Sequence, residues 1–457
     1  MLSAKMMAGA RTVTNVADHF ERLKQAAVEM VDLFAASQRG YFTPTEDEEV
    51  RHMLVSYWQP RNALIELVLS FQDDEQLSQE LRPAGFLVAY SGALVLVDAA
   101  RFLREQFHKR PVVRKKLNEP EPHFGIGEGT YDRIQKSLTS PVHAWHLYHA
   151  AEYFQEHRQM LRGLADGQPI LAPLIEIVDR LQERIRVGMG EYAVARIRVR
   201  ARELVSTIHH DLWSKALFGL QKSVSRLISD VYTKPDHHPQ LPSAVAEELC
   251  RILQPGDVLI TRKEYALTNY FLPGYWPHAA LFLGNEQQLR ELGVVDHKNV
   301  KPRWRRLLEC DPHEPRRVLE ALKDGVWIRS LASPFASDAL AVLRPRLSQS
   351  DVAVALGRGL FHDGKPYDFD FDFTRSDRLV CTEVIYRSYE QVGGIRFQLT
   401  PRAGRLTLAA EDLIRMALNR EHFEPIAVYT PAHAEQLVVG GNTDAAIRRT
   451  LATATEA

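Results

Sequence analysis

The sequence predicts an α+β protein: an all-helical N-terminal domain followed by a domain of short strands and helices. Three observations carry that expectation. Apolar residues recur at three- and four-residue spacing through about the first 235 positions. The segment from Thr233 to Pro242 then brings three prolines and no apolar period. Beyond it, short apolar runs bounded by Gly, Pro and Asp follow one another, as strands do. The predicted organisation is a helical domain over 1–235, a linker over 236–246, an α+β domain over 247–432 and a flexible tail over 433–457.

Val16, Phe20, Leu23, Ala27, Met30 and Phe34 build one helical face, which Gly40 and Pro44 should end. Thr45 with Glu48 reads as a capping box opening the next helix, which Pro60 should break or kink. Further helices are expected over about 83–108, 143–164, 170–188 and 203–232. Arg196, Arg198, Arg200 and Arg202 alternate with smaller residues. Period two suggests a strand with one cationic face, while on a helix they would spread around the surface; they read first as solvated arginines on a long helix, and alternatively as a site for phosphate or anionic lipid. After the linker, Ser243 should cap a helix to about Leu253. Strands are expected at Val258–Thr261, His278–Leu283, Arg317–Ala321, Gly325–Arg329 and Ala339–Arg344, and helices near 350–360 and 381–392. Gly393 and Gly394 suit the last helix's C-terminal cap.

Composition narrows the function classes. Lys plus Arg total 57 and Asp plus Glu 58, for a net charge of −1, so neither a polybasic nucleic-acid binder nor a charged disordered chain is expected. The longest apolar stretch, about Ala84 to Val97, is shorter than the roughly 20 residues of a membrane span and reads as a buried helix. No secretory signal pattern opens the sequence, and a reducing, cytoplasmic compartment is the expectation. Three scattered cysteines, Cys250, Cys310 and Cys381, make neither a disulfide framework nor a zinc site. His237 and His238 are adjacent but lack ligands at zinc spacing. Asp368, Asp370 and Asp372 alternate with Phe369, Phe371 and Phe373 without a calcium-loop pattern. No metal and no cofactor is expected.

Cys381 stands apart from the other two cysteines. The run from Cys381 to Val392 is helical in pattern, with Val384, Ile385, Tyr389 and Val392 on one face. That puts the thiol at a helix N-terminus, where free amides and the helix dipole stabilise a thiolate. A thiolate nucleophile needs a base and a group to orient the base. His278, opening an apolar strand after Trp276-Pro277, is the natural base; alone it would read as structural. Glu320 interrupts Val318, Leu319 and Ala321, and a carboxylate there needs a partner such as an imidazole N–H, unless it lies at a surface edge.

These pieces carry a family resemblance. Leu253-Gln-Pro-Gly-Asp-Val-Leu259, His278-Ala-Ala-Leu-Phe-Leu-Gly284, Val318-Leu-Glu-Ala321 with Gly325-Val326, Gly364-Lys-Pro-Tyr-Asp-Phe369 and Cys381-Thr-Glu383 resemble the permuted papain-like hydrolases. These are the circularly permuted relatives of NlpC-type cell-wall amidases, and the region resembles especially the YiiX-like bacterial group. Lecithin retinol acyltransferase is a more distant relative with the same order. In the unpermuted family the cysteine helix precedes the histidine strand, whereas here the order is His278, Glu320, Cys381. The resemblance spans about 247–432. It implies a small antiparallel sheet or barrel packed on helices, with Cys381 as nucleophile, His278 as base and then acid, and Glu320 orienting His278. It also implies that Tyr367 lines the site and helps hold the oxyanion. Thr382 stands where the family often has serine and keeps a hydroxyl beside the nucleophile.

The function expected is a thiol hydrolase or acyltransferase acting on a peptide-like or lipid-like acyl substrate. Two other classes stay open. One is a non-catalytic binding or scaffold protein that works through its helical half. The other is a peripheral membrane lipid enzyme, helped by the arginines at 196–202 and by Tyr270, Phe271, Tyr275 and Trp276, aromatics that read equally as the wall of a substrate cleft or as core. Nucleic acid is not an expected partner, and the oligomeric state is left open. The charged run Lys298 to Arg306 reads as an insertion that covers the cleft, forms a basic rim or is a solvated loop.

Overall fold

The computed structural model describes residues 2–70, 81–121, 124, 126–138, 141–183, 237–264 and 274–453, apart from 310, 312, 403–404 and 434. The helix expected over 203–232, the arginines at 196–202, Tyr270, Phe271 and Cys310 lie outside these residues. The chain divides into two compact units, Met1–Val231 and Tyr232–Ala457.

In the first unit the described residues form α1 (Ala4–Glu29), α2 (Val31–Arg39), α3 (Pro44–Ser70), α4 (Arg82–Phe107), α5 (Pro111–Leu117), α6 (Thr130–Leu138), α7 (Pro141–Glu156), α8 (Arg158–Gly167) and α9 (Ala172–Leu181). The apolar face expected from Val16 onward does become core: Val16, Phe20 and Ala27 are buried. The helix nevertheless ends at Glu29, and a second one carries the chain to Gly40, whose φ of 87° closes it. The capping box sits two residues earlier than expected. The Glu46 amide donates to Thr43 Oγ1 at 3.4 Å, and the Thr43 amide donates to Glu46 Oε2 at 2.7 Å. Pro44 thereby takes the first helical position, where its missing N–H costs nothing.

Pro60 does not break α3, which continues to Ser70. Every residue from Leu54 to Ile65 is buried, so packing on both sides outweighs one lost backbone bond. The long apolar stretch extends into α4, which by length and composition could cross a membrane. In this unit it is the central helix, with α1, α3, α6 and α9 packed on it and 78% of its apolar window buried.

The second unit opens with α10 (Ser243–Ile252) and builds β1 (Val258–Arg262), β2 (His278–Gly284), β3 (Arg317–Leu322), β4 (Gly325–Ser330) and β5 (Ala339–Pro345). Short helices α11 (Glu286–Glu291), α12 (Trp304–Glu309) and α13 (Ala332–Phe335) lie in the connections. Then come α14 (Gln349–Leu360), α15 (Cys381–Tyr389), the ribbon β6 (Thr400–Arg402) and β7 (Arg405–Thr407), α16 (Ala410–Leu418), β8 (Phe423–Tyr429), β9 (Val438–Val439) and α17 (Thr443–Thr453). Seven strands make one antiparallel sheet in the order β4-β3-β2-β1-β5-β8-β9. Leu249, Leu259, Phe282, Val318 and Val342 share one core cluster, which packs α10 on the sheet.

On another side α14 and α15 pack together and onto β2 and β3. Gly359 permits the close approach: a Cβ there would lie 2.6 Å from Ser388 Oγ and 3.0 Å from Leu281. The Pro255-Gly256-Asp257 turn ties three elements together. Gly256 has φ 93°, its amide donates to Phe282 O at 2.8 Å, and its carbonyl accepts from the Tyr389 hydroxyl. Asp257, buried, accepts both Nε and Nη2 of Arg344 at 2.8 Å.

Three expectations are corrected here. Part of the expected linker belongs to the second unit: Leu241 is core, and its amide donates to Phe335 O at 3.0 Å. The expected tail is structured through residue 453, because β9 pairs with β8 and Ile447 of α17 is buried. Trp276, buried, donates from Nε1 to Thr450 Oγ1 at 2.9 Å, so this aromatic fills the core and holds α17. The helix of Cys381 ends at Tyr389, and Gln391, at φ 64°, makes the first left-handed turn ahead of Gly393 and Gly394.

Candidate active site

The site grows from the start of β2, the middle of β3 and the N-terminus of α15. In the sheet register Ala280 stands opposite Glu320, so His278 is the diagonal neighbour of Glu320 on the same face. His278 Nε2 donates to Glu320 Oε2 at 2.9 Å. Glu320 is 1% exposed, so the surface-edge alternative fails; β3 is covered on both edges by β2 and β4. Its other oxygen accepts from the Ser333 hydroxyl and lies 3.5 Å from Arg329 Nε. Arg329 in turn donates to Asp324 Oδ1 at 2.5 Å. With Nε2 committed to Glu320, His278 has Nδ1 left for the thiol.

Cys381 is the first residue of α15 and is buried. Val380 before it is extended and provides no side-chain cap. The amides of Ala279 and Thr382 donate toward the sulfur. The Pro277 carbonyl oxygen is 4.0 Å from Sγ, which places the thiol beside the start of β2.

The electrostatics follow from these contacts. Burial alone would raise the Cys381 thiol, but the His278 charge, a hydrogen bond to His278 and the two amides hold it below its ordinary value. Burial alone would lower His278, but the charges and hydrogen bonds of Cys381 and Glu320 raise it to about 9. Glu320, which burial would raise, is instead held at about 2 by His278, with help from Arg329 and Ser333. The arrangement favours a thiolate–imidazolium pair over a neutral thiol and imidazole.

Tyr367 reaches the site through the backbone. It forms a parallel bridge with Leu379, and the Leu379 amide donates to Pro366 O at 3.1 Å. The Val326 amide donates to Lys365 O at 2.8 Å, pinning the same segment to β4. Tyr367 is buried, and burial together with the nearby Cys381 charge raises its phenol well above the ordinary value. Thr382 is fully buried, and its hydroxyl has no hydrogen-bond partner among the described residues. Its amide donates toward the sulfur.

The other candidates take structural places. Asp368 accepts amides of Asp370 and Asp372, and Asp372 pairs with Arg405, so this run folds a turn. Phe373 packs on Tyr386 of α15. His237 bonds Asp338 at 2.8 Å. Cys250, half-buried, has a thiol raised by burial. The charged run at 298–306 is folded: Val300 and Leu307 are buried, and Arg306 Nη1 lies 2.9 Å from Asp363. Sequence reasoning missed Ser333 and Arg329. Arg329 could have been suspected, since an arginine on the strand after Glu320 is a ready counter-charge. Nothing in the sequence marks Ser333.

Chain order decides the class. The histidine strand and the carboxylate strand come before the cysteine helix, and all three meet on one antiparallel sheet. This is a permuted papain-like domain, the fold of a thiol hydrolase. Residues 252–438 match the model of the permuted papain-like amidase enzymes, YaeF/YiiX, C92 family. Amide-bond hydrolysis of the cysteine type is the activity that goes with the family. No curated protein and no solved structure matches the chain.

Proposed function

We propose that Cys381, His278 and Glu320 act as a catalytic triad that cleaves an amide bond in a peptide-like or lipid-like acyl substrate. The observation that carries this reading is the buried Glu320 carboxylate bonded at 2.9 Å to His278, whose other nitrogen is left for the thiol. The Cys381 thiolate attacks the acyl carbon. The carbonyl oxygen becomes an oxyanion, held by amide donors at the start of α15 with Tyr367 beside it. His278, as imidazolium, then protonates the leaving amine, which departs and leaves a thioester on Cys381. The now neutral imidazole takes a proton from water, which attacks the thioester and releases the acid, returning the proton to the pair. A nucleophilic acceptor in place of water would make the same site an acyltransferase. A free thiol of this kind suits a reducing compartment, and we place the enzyme in the cytoplasm.

Iodoacetamide labelling across pH tests the triad. Wild type should label at Cys381 well below about 8.5, the usual free-thiol value. Cys381→Ala should lose that label, and His278→Ala should shift it to higher pH. Labelling of Cys381 at the rate and pH of Cys250, unchanged by His278→Ala, would sink the enzyme reading and favour a binding or scaffold role. A panel of acyl-amide and acyl-ester probes, each with water or an added amine as acceptor, separates hydrolase from acyltransferase.

A further inference from the structure

A polar cavity opens at the end of the same sheet away from the thiol site. Its volume is about 860 Å³, and Arg346, Arg396, Arg415, Arg420, Asp412 and His422 are among its lining residues. The β-register separates it from the thiol site. Leu340 and Tyr429 pair at the end nearer His278, whereas Pro345 and Phe423 pair at the cavity end. Five residues of strand are about 17 Å at roughly 3.3 Å per residue.

The cavity is cationic for reasons that helix capping only half explains. Arg415 and Arg420 lie at the C-terminal end of α16, where cations offset the dipole. Each also has a carboxylate: Arg415 is 3.9 Å from Glu411, and Arg420 is 3.2 Å from Asp444. Asp412 is taken by Arg402 at 2.8 Å and by the Ala409 amide at 2.7 Å. Arg346 and Arg396 are on no helix. Among the described residues neither has a carboxylate partner, and both are exposed.

Their backbones are fixed nonetheless. The Arg346 amide donates to His422 O at 2.8 Å. Arg396 sits between Ile395, whose carbonyl accepts from Gln391, and Phe397, whose amide donates to Glu390 Oε2 at 3.0 Å. Two guanidinium forks held on fixed backbone at the rim of a ligand-sized cavity suit bidentate recognition of phosphate oxygens.

We propose that this cavity binds a phosphate-bearing ligand, with Arg346 and Arg396 as its phosphate contacts. The site is independent of the triad. The test is calorimetric titration of the full chain with inorganic pyrophosphate, and flotation with phosphatidic-acid vesicles against neutral phosphatidylcholine vesicles. Citrate serves as the carboxylate control. Pyrophosphate binding identifies a soluble ligand, and selective flotation identifies a headgroup.

In either arm, R346Q/R396Q should weaken binding at least tenfold, and added salt should weaken it further. As a check that needs no variant, pyrophosphate should protect Arg346 and Arg396 from phenylglyoxal, read by peptide mass spectrometry. The proposal is overturned by the absence of binding in both arms, by binding that the double variant does not alter, or by citrate competing as well as pyrophosphate.

Discussion

The two units bury charge differently. The described part of the helical unit is an apolar bundle with a few buried charges held in separate ion pairs, such as Glu46 with Arg39, Asp98 with Lys24 and Lys116 with Asp47. The sheet unit buries Asp257, Arg317, Glu320, Asp324, Asp368 and Glu383. Some of these only hold the fold. Asp257 ties a turn to Arg344, and Arg317 donates to the carbonyls of Leu307 and Asp311, binding the segment that precedes β3 to that strand. Glu320 differs because its partner is a histidine beside a thiol. A charge whose loss would only unfold the protein and a charge whose loss would stop chemistry look alike by burial; they separate by what their partner touches.

Removing chemistry should therefore give the largest effect with the least structural cost. Cys381→Ser keeps the volume of a buried side chain. It should lower kcat/KM on a cleaved acyl-amide probe by about 10⁴-fold or more, with the thermal midpoint nearly unchanged. A small loss of rate would show that the thiol is not the nucleophile. Glu320→Gln comes next, at roughly 10²-fold. Its signature is in pH. Glu320, held at about 2, is ionised through the working range. Against the downward push of burial, its charge and hydrogen bond join Cys381 in holding His278 at about 9. Activity needs the imidazolium, so the alkaline limb in wild type falls as pH rises through that value. Without the Glu320 charge the limb should move to lower pH. An unmoved limb would mean that Glu320 does not act through His278.

Much of this contrast was legible in the sequence because each signal was local. Periodicity marked the helices of the first unit, and β1 to β5 followed from short apolar runs between turn residues. Cys381, His278 and Glu320 were legible because the chain order and flanking motifs of a permuted domain fix them together. What stayed hidden depends on contacts distant in sequence. Ser333 has no local signature and acquires a role only when α13 folds beside Glu320. The strand β8 and helix α17 read as the end of the domain and a tail, since only pairing with β5 and the Trp276–Thr450 bond place them. Pro60 misled because tertiary packing outweighed a propensity. The capping box slid because Thr43 and Thr45 both offer the same pattern, and Pro44 fits the first helical position.

Ser333→Ala removes one donor from Glu320 and leaves His278 and Arg329 in place. Ser333 is a positioning residue, and its loss should cost a few-fold in kcat/KM. It should also move the alkaline limb slightly upward: with one fewer donor, Glu320 is a better acceptor for His278. A loss of activity with no movement of the limb would assign Ser333 to the fold alone.

The smallest effect should come from the helical unit. Thr43→Ala deletes the 3.4 Å bond that caps α3, while the Thr43 amide keeps Glu46 Oε2 and Arg39 keeps its bonds to Glu46. Because that bond is long and the rest of the box survives, the cost should fall at or below the usual figure of about 1 kcal/mol for a lost cap. Thermal unfolding followed by helical circular dichroism should shift down by a few degrees at most. The rate of Cys381 labelling should stay at the wild-type value, since no charge near the thiol changes. A capping variant that slowed labelling would break the contrast between the units, because stability lost in the helical bundle would then be reaching the thiolate pair.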